Sequence, residues 1–173
     1  MILPIVKTLT GQFNLDPYVV SGLIQVESGG NPWAMNPEPG YRYMWNVRTN
    51  GSFRSLTEAE RLSIYPPQDF PTLAGDPDQE WWAQRVSWGL MQLMGAVARE
   101  RGFRGKFLSE LCDPEVNVRL GCLHLAGVLR TSEGDIERAL ATYNGGTRGN
   151  VKRPFRNQAY VDKVMKAAAS LKG

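Results

Sequence analysis

Apolar positions recur at helical spacing along most of the chain and at strand spacing almost nowhere. Ile2, Ile5, Leu9 and Phe13 predict a first amphipathic helix. Asp16-Pro17 opens a second as N-cap and first helical residue; its apolar stripe is Val20, Leu23 and Ile24, and Gly29-Gly30 stops it. The same period returns near 89–101, 114–130, 136–144 and 157–171. Between Asn31 and Ser87 lie Pro/Gly turns, aromatic residues and two short helical candidates, at the capping box Thr57-Glu58-Ala59-Glu60 and at Asp76-Pro77. A small β-hairpin around Tyr41 to Phe53, turning at Asn50-Gly51, is the one strand signal. The pattern predicts a mainly α fold. So long a connection is unusual unless it forms a lid or binding wall. Residues of about 35–86 are therefore expected to be such an insertion within one domain spanning 1–173.

The stretch 114–130 has apolar residues on two sides. Val116, Leu120, Leu123 and Gly127 lie on one, and Val118, Cys122, Leu125 and Leu129 on nearly the opposite one. That predicts a helix buried at the centre of the fold. His124, the only histidine, flanks those faces beside Asn117 and reads as a packed or hydrogen-bonded residue. With no Cys-x-x-Cys pair, a dedicated metal site is not expected. A helix running from Asp113-Pro114 through Cys122 would put Cys112 and Cys122 roughly 13 Å apart, whereas a disulfide needs less than ~7 Å. Two free thiols are expected.

Composition narrows the class. The 173 residues are 42% hydrophobic and 21% charged, which excludes a disordered or collagen-like chain and supports a buried core without staples. No apolar run approaches the ~20 residues that span a bilayer. Lys7 interrupts the N-terminal apolar stretch and no basic residue precedes it, so it does not read as a secretory signal. The expectation is synthesis in the cytoplasm, or a trimmed chain. The net charge of +3 is unevenly spread: residues 1–95 carry six basic and nine acidic side chains, while 146–173 carry seven basic ones against Asp162 alone. Either the basic tail attracts an anionic polymer or it is the solvated face of the last helix. So small an excess, without an aromatic-basic motif, argues against nucleic acid as a partner.

Glu27 is the most informative residue. Val20, Leu23, Ile24 and Glu27 fall at i, i+3, i+4 and i+7, so a carboxylate continues an apolar stripe. It also sits in the last helical turn, where the helix dipole is negative. Burial and dipole both disfavour its ionised form and raise its pKa above the ordinary ~4.3. A carboxylic acid held protonated is what donating a proton to a glycosidic oxygen requires, although a buried structural Glu has the same pattern. The construction recurs near the C-terminus: Ile136, Ala139, Leu140 and Tyr143 form a stripe that ends in Asn144 and stops at Gly145-Gly146. In the third stretch, Leu90, Leu93, Met94 and Val97 are expected on the core side of a helix, with Met91 and Gln92 pointing away.

Together these stretches resemble the soluble lytic transglycosylase catalytic domain, related in fold to goose-type lysozyme. Glu27-Ser28-Gly29-Gly30-Asn31-Pro32-Trp33-Ala34 is similar to the family's first motif, and Ser87-Trp88-Gly89-Leu90-Met91-Gln92-Leu93-Met94 to its second. Ala141-Thr142-Tyr143-Asn144-Gly145-Gly146 is similar to the third, and Asn157-Gln158-Ala159-Tyr160-Val161-Asp162-Lys163-Val164 to the tyrosine-containing closing helix. The order is the family's, from about Asp16 to Val164. More than fifty residues separate the first two motifs, which is longer than in many members.

The resemblance implies a lysozyme-like helical domain with a substrate cleft, acting as a monomer without cofactor or metal on peptidoglycan strands of GlcNAc and MurNAc. It implies Glu27 as the catalytic acid and then base, cleaving the MurNAc-β-1,4-GlcNAc bond and leaving 1,6-anhydromuramic ends. Ser87, Met91 and Gln92 would hold substrate amide and hydroxyl groups, Tyr143 would contact the N-acetyl group or Glu27, and Asn144 would fix the third motif. Ser28 would brace its loop. The setting implied is the bacterial cell wall, reached from the periplasm or by a phage lysin or virion enzyme. A goose-type hydrolase, with Asp76, Asp78 or Glu80 positioning water, is the alternative, as is a non-catalytic wall-binding or virion module. Among Trp33, Tyr41, Tyr43, Trp45, Trp81, Trp82 and Trp88, one or two are expected to stack on glycan and the rest to pack.

Overall fold

Asp16 caps its helix as the sequence predicts: the carboxylate accepts from Tyr18 N at 2.8 Å, satisfying one of the donors a helix start leaves open. In the computed structural model, which describes residues 2–73, 76–146 and 152–173, this helix is α2 (Pro17–Ser28), after α1 (Ile2–Phe13). The chain separates into two compact units, one of residues 1–30 with 121–173 and one of residues 31–120. Mainly helical structure with a small sheet agrees with the expected fold class.

The first unit is helical. It holds α1, α2, the later turns of α6 (Pro114–Thr131), α7 (Ile136–Gly145) and α8 (Gln158–Ser170). Val20 and Leu23 on α2 are fully buried, as the stripe requires. α8 packs along α2, with the backbones in close approach: a Cβ at Gly22 would lie 2.7 Å from Val164 O and 2.8 Å from Ala168 N. Val161, Val164 and Ala168 supply the buried face of α8. Asp135 caps α7 by accepting from Arg138 N at 3.1 Å. In the basic tail, Arg153 pairs with Asp135 and Glu137, and Lys172 with Asp16. Those cations are therefore partly neutralised within the unit; Arg148 lies outside the described residues.

The two-sided pattern of α6 is only half realised. Val118, Cys122 and Leu125 are buried, but on the other side Leu120 is buried while Leu123 is 37% exposed and Val116 and Gly127 are half-buried. Arg119 and Arg130 keep that side in contact with water. Cys112 and Cys122 are both free and buried.

The second unit corrects two expectations. Residues 86–94 do not begin a helix: β4 (Val86–Trp88) and β5 (Leu93–Met94) pair antiparallel, and only Gly95–Glu100 forms a helix, α5. Gly89 at φ +68° and Gln92 at φ +46° take the left-handed conformation, which ends the ladder and turns the chain. β4 also pairs with β1 (Met35–Pro37), giving the order β1-β4-β5. The small hairpin exists as β2 (Trp45–Asn46) and β3 (Gly51–Ser52), but it turns over Val47 to Asn50, with Gly51 already paired to Asn46. Both capped short helices form, α3 (Glu58–Leu62) with its capping box and α4 (Pro77–Ala83) capped by Asp76.

At the centre of this unit Arg99 on α5 and Glu80 on α4 form a fully enclosed ion pair. Arg99 Nε and Nη2 donate to the two carboxylate oxygens at 2.9 and 2.8 Å, and Nη1 donates to the carbonyls of Phe103 and Gly105. Gln84 Nε2 adds a third donor to Glu80, at 2.9 Å.

Candidate active site

The first unit builds its site at the end of α2. Two glycines with positive φ, Gly29 at +61° and Gly30 at +82°, stop the helix one residue after Ser28, with Gly29 N donating to Gln25 O. Ser28 Oγ donates to Ile24 O at 3.1 Å and accepts from Gly30 N at 3.2 Å, so it braces the turn. Glu27 stands half-buried in that last turn. Burial pushes its carboxyl above the ordinary carboxylate range, while a hydrogen bond from Tyr160 partly offsets the rise.

That hydrogen bond is the tightest feature of the site: Tyr160 Oη donates to Glu27 Oε1 at 2.5 Å across 133 positions of sequence. Tyr160 lies on α8, and the close α2–α8 packing at Gly22 brings it there. Burial first and the Glu27 charge second hold its phenol far above the ordinary tyrosine range, so it remains a donor. Sequence reasoning placed Tyr160 only within the closing-helix motif and gave it no role; that motif was the signal available.

Tyr143 on α7 stands in the same electrostatic neighbourhood. Its phenol is raised by burial, then by Glu27 and Cys122. Its ring tilts against His124 with centroids 5.3 Å apart, so His124 packs as expected. Asn144 Oδ1 accepts from Asn157 Nδ2 at 2.9 Å, and the same amide donates to Ala141 O at 3.0 Å. The third motif is thereby tied to the start of α8.

In the second unit Ser87, Met91 and Gln92 are brought together by the turn between β4 and β5. Ser87 Oγ donates to Gln92 Oε1 at 3.0 Å, and Gln92 Nε2 donates to Gly89 O at 2.9 Å and Ala34 O at 3.1 Å. Met91 does not point away from the core as the helical reading had it; its side chain is fully buried. Its N–H is held by Asn117 Oδ1 at 2.8 Å, while Asn117 Nδ2 donates to Trp88 O and Leu111 O. Gly89 is required there, since a Cβ would fall 2.5 Å from Asn117 Nδ2. The side-chain polar groups of Ser87 and Gln92 therefore hold the turn itself. Ser87→Ala is expected to cost about 1 kcal/mol of stability, read as a lower denaturation midpoint at unchanged m-value.

Two of the three acids nearest in sequence are already occupied. Glu80 is bound by Arg99, and Asp76 caps α4 by accepting from Gln79 N at 3.1 Å; Asp78 is exposed. Among the aromatic residues, Trp81 and Trp88 are buried, whereas Trp33 is 74% exposed.

Comparison with known proteins gives two matches. A family model described as the transglycosylase SLT domain matches residues 4–165, so a single model runs through both units. A protein of Enterobacteria phage PRD1 named transglycosylase is 28% identical over 160 residues, which cover 91% of this chain and 39% of that protein. The chain thus spans about two-fifths of the length of the curated relative it matches.

Proposed function

The chain belongs to the transglycosylase SLT domain family, and we propose that it cleaves the MurNAc-β-1,4-GlcNAc bond of peptidoglycan with Glu27 as acid and then base. The observation that carries this reading is the Glu27 carboxyl, raised in pKa by burial and held by Tyr160 at 2.5 Å. In the first half-reaction the protonated carboxyl gives its proton to the leaving glycosidic oxygen as the C1–O bond breaks. In the second, the Glu27 carboxylate takes the proton of the muramic C6 hydroxyl and that oxygen closes onto C1. The acid is regenerated, no water is consumed, and the product carries a 1,6-anhydro end.

Tyr160 suits this cycle because its hydroxyl donates to Glu27 and stabilises the carboxylate formed midway. Tyr143, in the same electrostatic neighbourhood, is proposed to contact the substrate N-acetyl group or Glu27, and Asn144 to hold the third motif. In the second unit the turn built by Ser87, Met91 and Gln92 is proposed as a substrate-binding surface that acts through its backbone, since the Met91 side chain is enclosed and the Ser87 and Gln92 side chains hold the turn. A one-carboxylate scheme is favoured over water-dependent hydrolysis by the engagement of Glu80 and Asp76 elsewhere. The site of action proposed is the bacterial cell wall; no helix among the described residues is long and apolar enough to cross a membrane.

The pH profile of Tyr160→Phe tests the arrangement. The first step needs Glu27 protonated, so kcat/KM falls as pH rises through its pKa. Removing the Tyr160 hydroxyl takes away the interaction that lowers this pKa. The alkaline limb is therefore expected to move to higher pH while activity on the plateau declines. An unmoved or acid-shifted limb would detach Tyr160 from Glu27 in the working enzyme.

A further inference from the structure

A cavity of about 340 Å³ lies wholly within residues 31–120 and takes no part in the chemistry above; Arg42, Glu58, Arg61, Leu62, Trp82 and Arg85 are among its walls. Arg85 is the unusual member. It is 1% exposed, and its guanidinium stacks 3.7 Å from the centroid of the Trp81 ring. Nη1 makes one long hydrogen bond, 3.4 Å to Arg61 O, and Nε and Nη2 have no partner among the described residues.

The same unit shows how it satisfies a buried arginine when the purpose is structural. Arg99 has Glu80 across its fork and two carbonyls on its remaining nitrogen. Arg85 has a ring beneath its face, one long bond at Nη1 and, among the described residues, no acceptor at Nε or Nη2. Stacking accounts for the face alone. The missing partner of two N–H groups is an acceptor, and beside an enclosed cation it is an anionic one.

We propose that this cavity binds a short acidic peptide, one ligand carboxylate seated on Arg85 with Arg42 and Arg61 beside it. The planar guanidinium fork matches a planar carboxylate with two parallel hydrogen bonds. Three arginines against the single carboxylate of Glu58 leave the walls cationic, and Leu62 and Trp82 supply apolar surface for the rest of the ligand. The volume lies in the range of sites for small ligands. α3 contains no buried residue, and its Arg61 carbonyl meets the guanidinium at Nη1, 3.4 Å away, which leaves the Nε–Nη2 edge to the ligand carboxylate. Two sources carry this chemistry, the stem peptides of a glycan strand and an unattached acidic peptide. The first rests on the function proposed above; the second does not.

Calorimetry on the full chain with γ-glutamylalanine and with its diamide tests the site without any turnover, so its outcome is independent of Glu27. The acid is expected to bind at least tenfold more tightly than the diamide, and Arg85→Lys, which keeps the charge but loses the fork, to weaken the acid tenfold or more. The paired change Arg42→Gln and Arg61→Gln alters the cavity walls without touching a buried side chain, and is expected to weaken binding at least threefold even if the Arg85 variant fails to fold. Equal binding of acid and diamide, no binding of the acid at millimolar concentration, or unchanged affinity in the paired variant would overturn the proposal. Cosedimentation of the Glu27→Gln chain with intact or amidase-stripped peptidoglycan then assigns the source. Retention weakened by stripping, and weakened equally in the paired variant, identifies the stems; retention unaffected by stripping reports glycan alone and, with γ-glutamylalanine bound in calorimetry, assigns the cavity to an unattached peptide.

Discussion

Glu27→Gln is expected to lower turnover of peptidoglycan by about a thousandfold or more, because one group both donates and accepts the transferred proton. The amide keeps an oxygen that can accept from Tyr160, so the fold and glycan binding are expected to persist. Its stability carries a sign that separates a functional carboxyl from a structural one. A Glu whose folded pKa is raised binds its proton more tightly in the fold than in the unfolded chain. Its contribution is therefore lost as pH rises from the unfolded value of about 4.3 through the folded one, and ionised Glu27 weakens the fold above that window. Glu27→Gln should melt higher than the wild type at neutral pH, with the advantage shrinking as pH falls toward 4. A destabilised amide variant at neutral pH would make Glu27 a structural acid. Residual turnover within tenfold of wild type would remove it from the reaction.

The second large effect concerns stability alone. Arg99→Met leaves the Glu80 carboxylate enclosed with only Gln84 to answer it, and breaking a buried pair from one side costs about 3–5 kcal/mol. For a chain of this size that corresponds to a fall in Tm of about 10 °C. All five tryptophans lie in residues 31–120, so their fluorescence reports directly on the unit affected. Because the pair is out of reach of counterions, high salt should not mimic the change. Replacing both partners, with Glu80→Leu added to Arg99→Met, should recover much of the loss, since no lone charge then remains. A single-variant loss below about 1 kcal/mol would contradict the enclosed pair.

The helices of the first unit were legible because one rule governs them. Apolar residues at i, i+3 and i+4 with glycine stops, and for α2 an Asp cap, put α2 and α7 within a residue of where they lie, and the same stripe marked Glu27 as a carboxylate facing protein. The second motif failed under that rule. Leu90, Leu93, Met94 and Val97 have helical spacing, yet Gly89 and Gln92 adopt left-handed backbone and Asn117, more than twenty positions away, holds the turn they make. No local pattern announces a clamp of that kind. Tyr160 was hidden for the same reason: its bond to Glu27 depends on how closely α8 approaches α2 at Gly22, a tertiary property. Ser87 and Gln92 were visible as polar residues in an apolar segment, but their preference for each other is a matter of geometry.

The central claim is that one carboxyl does the work of acid and base, and the products report it directly. Purified peptidoglycan digested with this chain should release muropeptides one water lighter than those of a hydrolase, the mass of 1,6-anhydromuramic ends. Release of the same fragments with reducing ends would contradict the account and return the search to a water-positioning acid, with exposed Asp78 the first to replace.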